Sequence, residues 1–436
     1  MFSSRTPVVT GMGIVSPFGI GKEAFFNGLH EGRSGLGPIT LFDPALSEDG
    51  SSGSRKGGVK SRVVAAAKNF IPDDYLKPED RKRVPRIVPL GIAATAEAFE
   101  DSGLAVQDWD LEEKRKVAVL LGSGAGGIDF AEAQYAHFFN KDLNKATPYA
   151  ISSSFVGMLS SEISIHFGLR GPSHVISTGC TSSTDAIGYA MRMIRHGEAE
   201  IILTGGVEAC ITPGIMAGFD RMRVTSTAFN DTPPRASRPF NLDRDGFVLG
   251  EGAWIFVLES YGRARKRNAK LYGALIGYGS TCDAFHRVMI EPSGVEAARA
   301  LELALEDAKI SSQEVGYVNL HGTSTQMNDK IETMAIKMAF GKIAKDLWTS
   351  ATKSMIGHPQ GACGAAGVAA SLYALTRQEI PPTINYENPD PACDLNYTPN
   401  HAVKVGTNRL RYALSNCLAF GSKNSSLVLE RADVLY

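Results

Sequence analysis

One cysteine and two histidines stand where side-chain chemistry is possible. Cys180 lies in Ser177-Thr178-Gly179-Cys180-Thr181-Ser182-Ser183, after the apolar run Val175-Ile176 and at the mouth of a small-residue helix. A thiol so placed faces the positive end of a helix dipole and its free N–H groups, which favour thiolate over thiol. His321, in His321-Gly322-Thr323-Ser324-Thr325, and His358, in Lys353-Ser354-Met355-Ile356-Gly357-His358, each lie between a strand-like run and a glycine-containing turn. Such turns let backbone approach a ligand closely. One nucleophilic sulfur and two imidazoles on loops point to acyl-thioester chemistry.

Placing three loops together needs a large scaffold, and 436 residues supply one. With 45 basic and 46 acidic residues the chain has no global attraction to nucleic acid or membrane, so a charged partner must be met by a local patch. Residues 1 to 15 read as an opening strand, lacking the basic leader and cleavage site of a signal peptide, and no run approaches the ~18 apolar residues that span a bilayer. The six cysteines (180, 210, 282, 363, 393, 417) form no CxxC pair, which argues against a disulfide framework or zinc site and for a reducing, cytoplasmic setting.

Strand-like runs at 7–10, 117–121, 174–178, 201–204, 254–258, 271–278, 317–320, 414–418 and 426–429 alternate with helical patterns, which predicts an α/β protein with mostly parallel buried strands. The chain also repeats itself. Thr178-Gly179-Cys180 leads into a helix carrying Ala186, Ile187, Ala190 and Ile194, and Ser350-Ala351-Thr352-Lys353 leads to Gly361-Ala362-Cys363-Gly364 and a helix through Leu375. Both helices are short on charge, as helices buried on every side between two sheets would be. Two similar halves packed face to face follow, 1–262 and 263–436, divided near the charged stretch Tyr261 to Lys270. Residues 43 to 62 are Gly/Ser-rich and predict an exposed, mobile loop.

Other motifs keep ordinary readings. Cys210, Cys282, Cys363, Cys393 and Cys417 read as small buried hydrophobes. Gly122-Ser123-Gly124-Ala125-Gly126-Gly127 and Gly11-Met12-Gly13 lack the context of a dinucleotide loop, and the spacings of Asp283, His286, Asp329 and Glu332 match no metal site.

The motifs Val8-Val9-Thr10-Gly11-Met12-Gly13, Gly168-Leu169-Arg170-Gly171-Pro172, Ser237-Arg238-Pro239-Phe240, Arg244-Asp245-Gly246-Phe247, His321 to Thr325, Thr352 to His358 and Pro381-Pro382-Thr383 occur in one order. In them the chain resembles the elongating β-ketoacyl-acyl carrier protein synthases over nearly its whole length. The resemblance implies a thiolase-like five-layer α-β-α-β-α fold, a dimer, and a Cys-His-His site that condenses malonyl-acyl carrier protein with a cysteine-bound acyl chain, with loss of carbon dioxide. Within the family, Thr178 to Ser182, Cys282-Asp283-Ala284-Phe285-His286, Gln326-Met327-Asn328-Asp329 and Asp390 to Leu395 are similar to ketosynthase-alpha subunits of type II polyketide synthases and to polyene-forming relatives. Fatty-acid elongation is the alternative enzyme reading, and a noncatalytic subunit like the chain-length factors is the alternative of another class.

By this resemblance Cys180 is the nucleophile, His321 and His358 stabilise the enolate, and the backbone N–H groups of Cys180 and Phe420 hold the oxyanion. Lys353 organises the histidines by charge, paired with Glu332 or Asp329, which count with the substrate-binding set. Thr323 and Thr325 bond the phosphopantetheine arm, the carrier protein brings every acyl group, and no cofactor or metal is bound by the chain itself. Arg81, Lys82, Arg83 and Arg86 are the docking candidates for the acidic carrier. The second subunit is a copy of the chain or a chain-length-factor-like partner.

Three departures from the family pattern matter. The gate, usually Asn-Ser-Phe-Gly-Phe-Gly-Gly-Thr-Asn, here reads Asn416-Cys417-Leu418-Ala419-Phe420-Gly421-Ser422-Lys423-Asn424, so Leu418 and Ser422 alter its hinge. Ala125 replaces a bulkier apolar residue and predicts a deeper acyl pocket. Gly367 stands where many relatives have a buried Glu, which puts their structural cation site in doubt.

Overall fold

The computed structural model describes residues 3–45, 58–406 and 409–432. Ten strands follow one hydrogen-bonded path: β1 (Pro7–Ser16), β2 (Val117–Gly122), β3 (Ser173–Ile176), β4 (Ile201–Glu208), β5 (Gly252–Ser260), β6 (Gly273–Cys282), β7 (Val315–Asn319), β8 (Trp348–Ser350), β9 (Tyr412–Ala419) and β10 (Lys423–Arg431). Their spatial order is β8-β7-β9-β10-β6-β1-β5-β4-β2-β3. Cut between β6 and β1, this is two sheets of five strands with one topology. In each, the first strand pairs antiparallel with the fifth, the fifth antiparallel with the fourth, and the fourth, second and third run parallel. Only two register pairs, Val8↔Ala274 and Val9↔Gly273, join the halves edge to edge.

The duplication is therefore in the fold, and four of the five strands in each sheet run in one direction, as the alternation predicts. The last strand of each half returns antiparallel into its sheet, most sharply where β9 turns into β10 through residues 420–422. The division at 262/263 falls inside the short helix Tyr261–Lys266. Arg263 and Arg267 near it pair with the buried Glu259 at the end of β5 (3.2 Å for Arg263), so the charged stretch is fastened to the first sheet.

Helices complete the five layers. α1 (Ile87–Ser102) and α2 (Met158–Phe167) cover the outer face of the first sheet, and α4 (Val295–Ala308) and α5 (Gln326–Phe340) that of the second. α3 (Ser182–His196) and α6 (Cys363–Arg377) lie between the sheets, and every residue from Cys363 to Leu375 is buried, as low charge and small side chains require. No helix among the described residues is long and apolar enough to cross a membrane.

The Gly11/Gly13 pair, which superficially looks like a nucleotide motif, and its counterpart in the second half have a packing role. A Cβ on Gly11 or Gly13 of β1 would lie 2.2 and 1.8 Å from the carbonyl oxygens of Ala98 and Ala94 in α1. One on Gly277 or Gly279 of β6 would lie 2.2 Å from those of Ala304 and Ala300 in α4. Each half thus seats its outer helix directly on the backbone of its first strand, beside a bulge after Val9 and after Leu275.

Of the predicted mobile loop, residues 46–57 lie outside the described residues. Its second arm is tied down rather than mobile: Val59 and Ser61 are buried, and the Val59 N–H bonds the Pro44 carbonyl. Gly13→Ala is expected to destabilise the protein by at least ~2 kcal/mol, because neither backbone can retreat. A urea melt read by circular dichroism checks this, and a loss below about half that value contradicts the seating argument.

Candidate active site

Cys180 sits on the turn between β3 and α3, which its polar neighbours build. Gly179 takes φ +71°, the Thr178 N–H bonds Ser182 Oγ (2.9 Å), and Ser182 Oγ donates to the Gly179 carbonyl (2.5 Å). Below, buried Asp185 accepts from Thr178 Oγ1 (2.5 Å) and the Tyr278 hydroxyl (2.8 Å). The Thr/Ser residues that mark the motif in sequence therefore fix the elbow.

His321 follows β7, and buried carboxylates shape its loop. Glu332 accepts the N–H groups of His321 (2.6 Å) and Gly322 (2.7 Å), and Asp329 accepts those of Thr323 (3.1 Å) and Phe240 (2.8 Å). His358 follows the short helix Lys353–Ile356. Its own N–H bonds the Val248 carbonyl (2.7 Å), its carbonyl accepts from Gly250 (3.0 Å), and Phe247 packs against its ring edge-on.

These turns bring the three groups together. His358 Nε2 lies 3.2 Å from Cys180 Sγ, the two imidazole rings are 5.2 Å apart at 87°, and one donor atom from each of the three residues fits within 4.8 Å. All three are buried. Burial, reinforced by the charge of Lys353, pushes His321 down to about 3 and lowers His358 as well, so both rings are neutral at neutral pH.

α3 begins at Ser182, two residues after Cys180, so the cysteine lies just ahead of the helix N-terminus. Burial drives the thiol's pKa up, against the pull of the Lys353 charge and of the Phe420 N–H that bonds the sulfur. His358 Nε2 is the imidazole nitrogen that faces it.

Two cysteines read as plain hydrophobes also converge here. Cys363 and Cys417 are buried, lie 3.4 Å apart, and both reach the Cys180 carbonyl (3.2 and 3.1 Å). Cys417 Sγ is also 3.5 Å from His321 Nδ1. Among the described residues His358 Nδ1 has no hydrogen-bond partner. The one hint in sequence was that Cys363 occupies, in the second half, the turn that Cys180 occupies in the first.

Lys353 is buried, but its Nζ donates to the His321 carbonyl (2.7 Å) instead of forming the expected ion pair. Glu332 is taken up by backbone N–H groups and Asn416 (2.7 Å), and Asp329 by Arg244 (3.3 Å). Neither carboxylate lines the cavity, so both are positioning residues rather than substrate-binding ones. Another, Glu208, was not anticipated: fully buried and pushed up to about 7 by that burial, it gathers the N–H groups of Gly124, Ala125 and Gly361. It thereby joins the glycine loop after β2 to the turn before α6.

A cavity of about 210 Å³ ends on Cys180, His321 and His358. Thr323 and Thr325, whose hydroxyls lie 3.0 Å apart, line it together with Leu418, Phe420, Phe247 and the mobile side chains of Met222, Met289 and Met327. Ala125 is not among its walls. Its N–H is held by Glu208, and it packs against the hydrophobic cluster that contains Phe247 and Leu249. Ser422, at φ +67°, fastens the gate turn to the neighbouring loop: its Oγ accepts from Phe285 and His286 N–H (both 3.3 Å) and donates to the His286 carbonyl (3.0 Å).

The docking candidates fare unevenly. Arg81 and Lys82 are exposed, Arg81 paired with Asp73 (2.9 Å), and Arg83 lies over Tyr149. Arg86 is instead drawn inward onto buried Glu251 (2.7 Å) and is removed from any docking surface. Gly367 carries no carboxylate, and a Cβ there would stand 2.5 Å from Ser415 Oγ and 2.8 Å from Asn319 Oδ1, which occupy the adjoining space.

Comparison with known proteins agrees with this geometry. The family described as Beta-ketoacyl synthase, N-terminal domain, matches residues 5–264, and its C-terminal domain matches residues 272–387. The 3-oxoacyl-[acyl-carrier-protein] synthase 2 of Vibrio harveyi is 40% identical over 430 residues, 98% of this chain and 99% of that one. The putative polyketide beta-ketoacyl synthase 1 of Streptomyces cyaneus is 40% identical over 433 residues, 98% of each. A solved structure of a type II polyketide synthase acyl-carrier protein in complex with its ketosynthase superposes with TM-score 0.87 at 30% identity, covering 98% of this chain and 100% of that chain. With a thiolase-like fold and a buried Cys-His-His centre, the chain belongs to the beta-ketoacyl synthase family of condensing acyltransferases.

Proposed function

We propose that this protein extends carrier-bound acyl chains by two carbons in type II polyketide or polyene assembly, with Cys180, His321 and His358 as its catalytic residues. The observation that carries the reading is the 3.2 Å contact between Cys180 Sγ and His358 Nε2 at the end of a buried cavity.

In the first half-reaction Cys180 attacks an acyl thioester. The new carbon–sulfur bond forms as the bond to the carrier's thiol breaks, and the proton passes from Cys180 through His358 to the departing sulfur. The N–H groups of Cys180 and Phe420 hold the oxyanion. A malonyl thioester then loses carbon dioxide, His321 and His358 stabilise the enolate by hydrogen bonding its oxygen, and the enolate carbon attacks the acyl-cysteine carbonyl as the bond to Cys180 Sγ breaks and frees the sulfur. Thr323 and Thr325 orient the phosphopantetheine arm, which brings both substrates, and Lys353 holds the His321 backbone. The polyketide assignment is supported by the coupling of the altered gate to the Cys282–His286 segment through Ser422. A nucleophilic thiol among six free cysteines suits a reducing, cytoplasmic compartment. A second subunit, identical or chain-length-factor-like, would cover the exposed Tyr135, Phe138, Phe139, Ile151 and Phe155.

Cys180→Ala is expected to abolish the covalent acyl adduct seen by intact mass and to lower condensation at least about a thousandfold. Unchanged condensation and decarboxylation would favour the noncatalytic subunit, and exclusive use of saturated chains would favour fatty-acid elongation.

Because His358 must be neutral to accept the thiol proton and its pKa is lowered, the acid limb of kcat should lie below pH ~6.5, the ordinary histidine value. The buried neutral rings also make the unfolded chain bind more protons below that pH. Stability is therefore full above pH ~6.5 and falls as pH drops toward about 3 for His321, which a pH series of thermal melts reads directly.

Exposed Arg221, Arg223 and Arg287 adjoin the cavity-lining residues Met222, Val224 and Val288 and are better placed to meet an acidic carrier than the residues nominated from sequence. Arg223→Glu with Arg287→Glu should raise KM for carrier-bound substrate about tenfold while sparing KM for acyl-pantetheine. Equal effects on both substrates would remove these residues from the docking surface.

A further inference from the structure

Asn328 borders the cavity that holds Cys180, His321 and His358, and the reaction described above makes no use of it. It lies in the first turn of α5, one helical turn beyond Thr325, so the two side chains come to the same side of the helix and line the cavity together. Asn328 is 4% exposed. Its Nδ2 donates to Asp329 Oδ1 (3.1 Å), the oxygen that also accepts the Thr323 N–H. That contact fixes which end of the amide is which, because the group turned over would set its carbonyl against a carboxylate oxygen. Oδ1 is the end left over, and among the described residues it has no hydrogen-bond partner. A buried carbonyl held in place without a donor is costly, and one on a residue in the wall of a substrate cavity is suited to a ligand that brings an N–H or O–H.

A hydrocarbon chain, the thioester oxygen and the malonyl carboxylate bring none. The first donor along a phosphopantetheine arm is the amide N–H two carbons beyond the thioester sulfur. Thr323 and Thr325 complement it. Their hydroxyls lie 3.0 Å apart, so one O–H closes the pair and the other remains to donate to the amide carbonyl. A donor and an acceptor on the wall then meet an acceptor and a donor on the arm.

We infer that Asn328 is a specificity-determining residue whose Oδ1 accepts the N–H of the phosphopantetheine amide nearest the thioester, so that the enzyme recognises an amide at that place rather than any thioester of the same length. This rests on the condensing-enzyme reading and deepens it. The arm is common to both half-reactions, so Asn328 acts on the acyl donor and on the malonyl donor alike.

The test compares butyryl-pantetheine with the analogue in which an oxygen replaces that N–H, which keeps the carbonyl and the length and removes only the donor. Acylation of Cys180 is followed by intact mass in the wild-type protein and in Asn328→Leu, each rate divided by that of the same thioester with free cysteine. The wild type is expected to favour the amide in kcat/KM by about tenfold or more, the factor that one buried hydrogen bond supplies. In Asn328→Leu the ratio should fall to near one. A wild type without preference overturns the inference, whatever the variant does. So does a preference that survives in Asn328→Leu, including the case where both thioesters slow by one common factor, which is the signature of a purely structural role. Wild-type protein acylated by neither thioester would refute the condensing-enzyme reading itself, and the inference with it.

Discussion

Burying a nucleophile and two imidazoles between sheets forces three turns to run where water cannot satisfy their backbones. The protein meets that constraint with carboxylates. Asp185 stands beneath the Cys180 elbow, Glu332 and Asp329 beneath the His321 loop, and Glu208 between the glycine loop and the turn before α6. Each is buried, and each accepts hydrogen bonds that would otherwise be lost, at about 1–3 kcal/mol for every orphaned group. The reactive groups are positioned by acids that never touch substrate, and the cost of burying those acids is offset by the N–H and hydroxyl donors converging on them.

The duplicated topology explains why the residues come from such distant stretches. Two sheets of the same strand order place α3 and α6 side by side, so that turns near the starts of both helices face one another. Cys180 belongs to one of those turns and His358 and Gln360 to the other, while His321 comes from the end of β7 and Phe420 from the hairpin of β9 and β10. The first half alone would present a thiol without an imidazole, and the second two imidazoles without the nucleophile.

Much of this was legible in the chain because the signals are local. A glycine-bearing turn after an apolar run marked Cys180, His321 and His358 correctly, and the small, uncharged helices read as buried. Strand starts were legible too, but β1 continues through Ser16, because Gly11 and Gly13 that look like a strand end are there to admit α1. What escaped is nonlocal. Antiparallel return of β5 and β10, the inward turn of Arg86 onto Glu251, the carbonyl partner of Lys353 and the meeting of Cys363 with Cys417 all depend on pairings across 32 or more residues. Burial of Cys180, which opposes the helix N-terminus at the sulfur, is nonlocal too: helix position can be seen in sequence, but depth beneath the surface cannot.

Ser422 gives the gate a mechanical character. Its contacts with Phe285 and His286 weld the hairpin carrying Phe420 to the segment that continues into Val288 and Met289 at the cavity wall. Phe420 cannot swing as a lone aromatic lever; the neighbouring segment must travel with it or release its grip. Force applied at the rim is thus transmitted to the ring beside the sulfur, and arrival at the entrance becomes linked to clearance at the bottom.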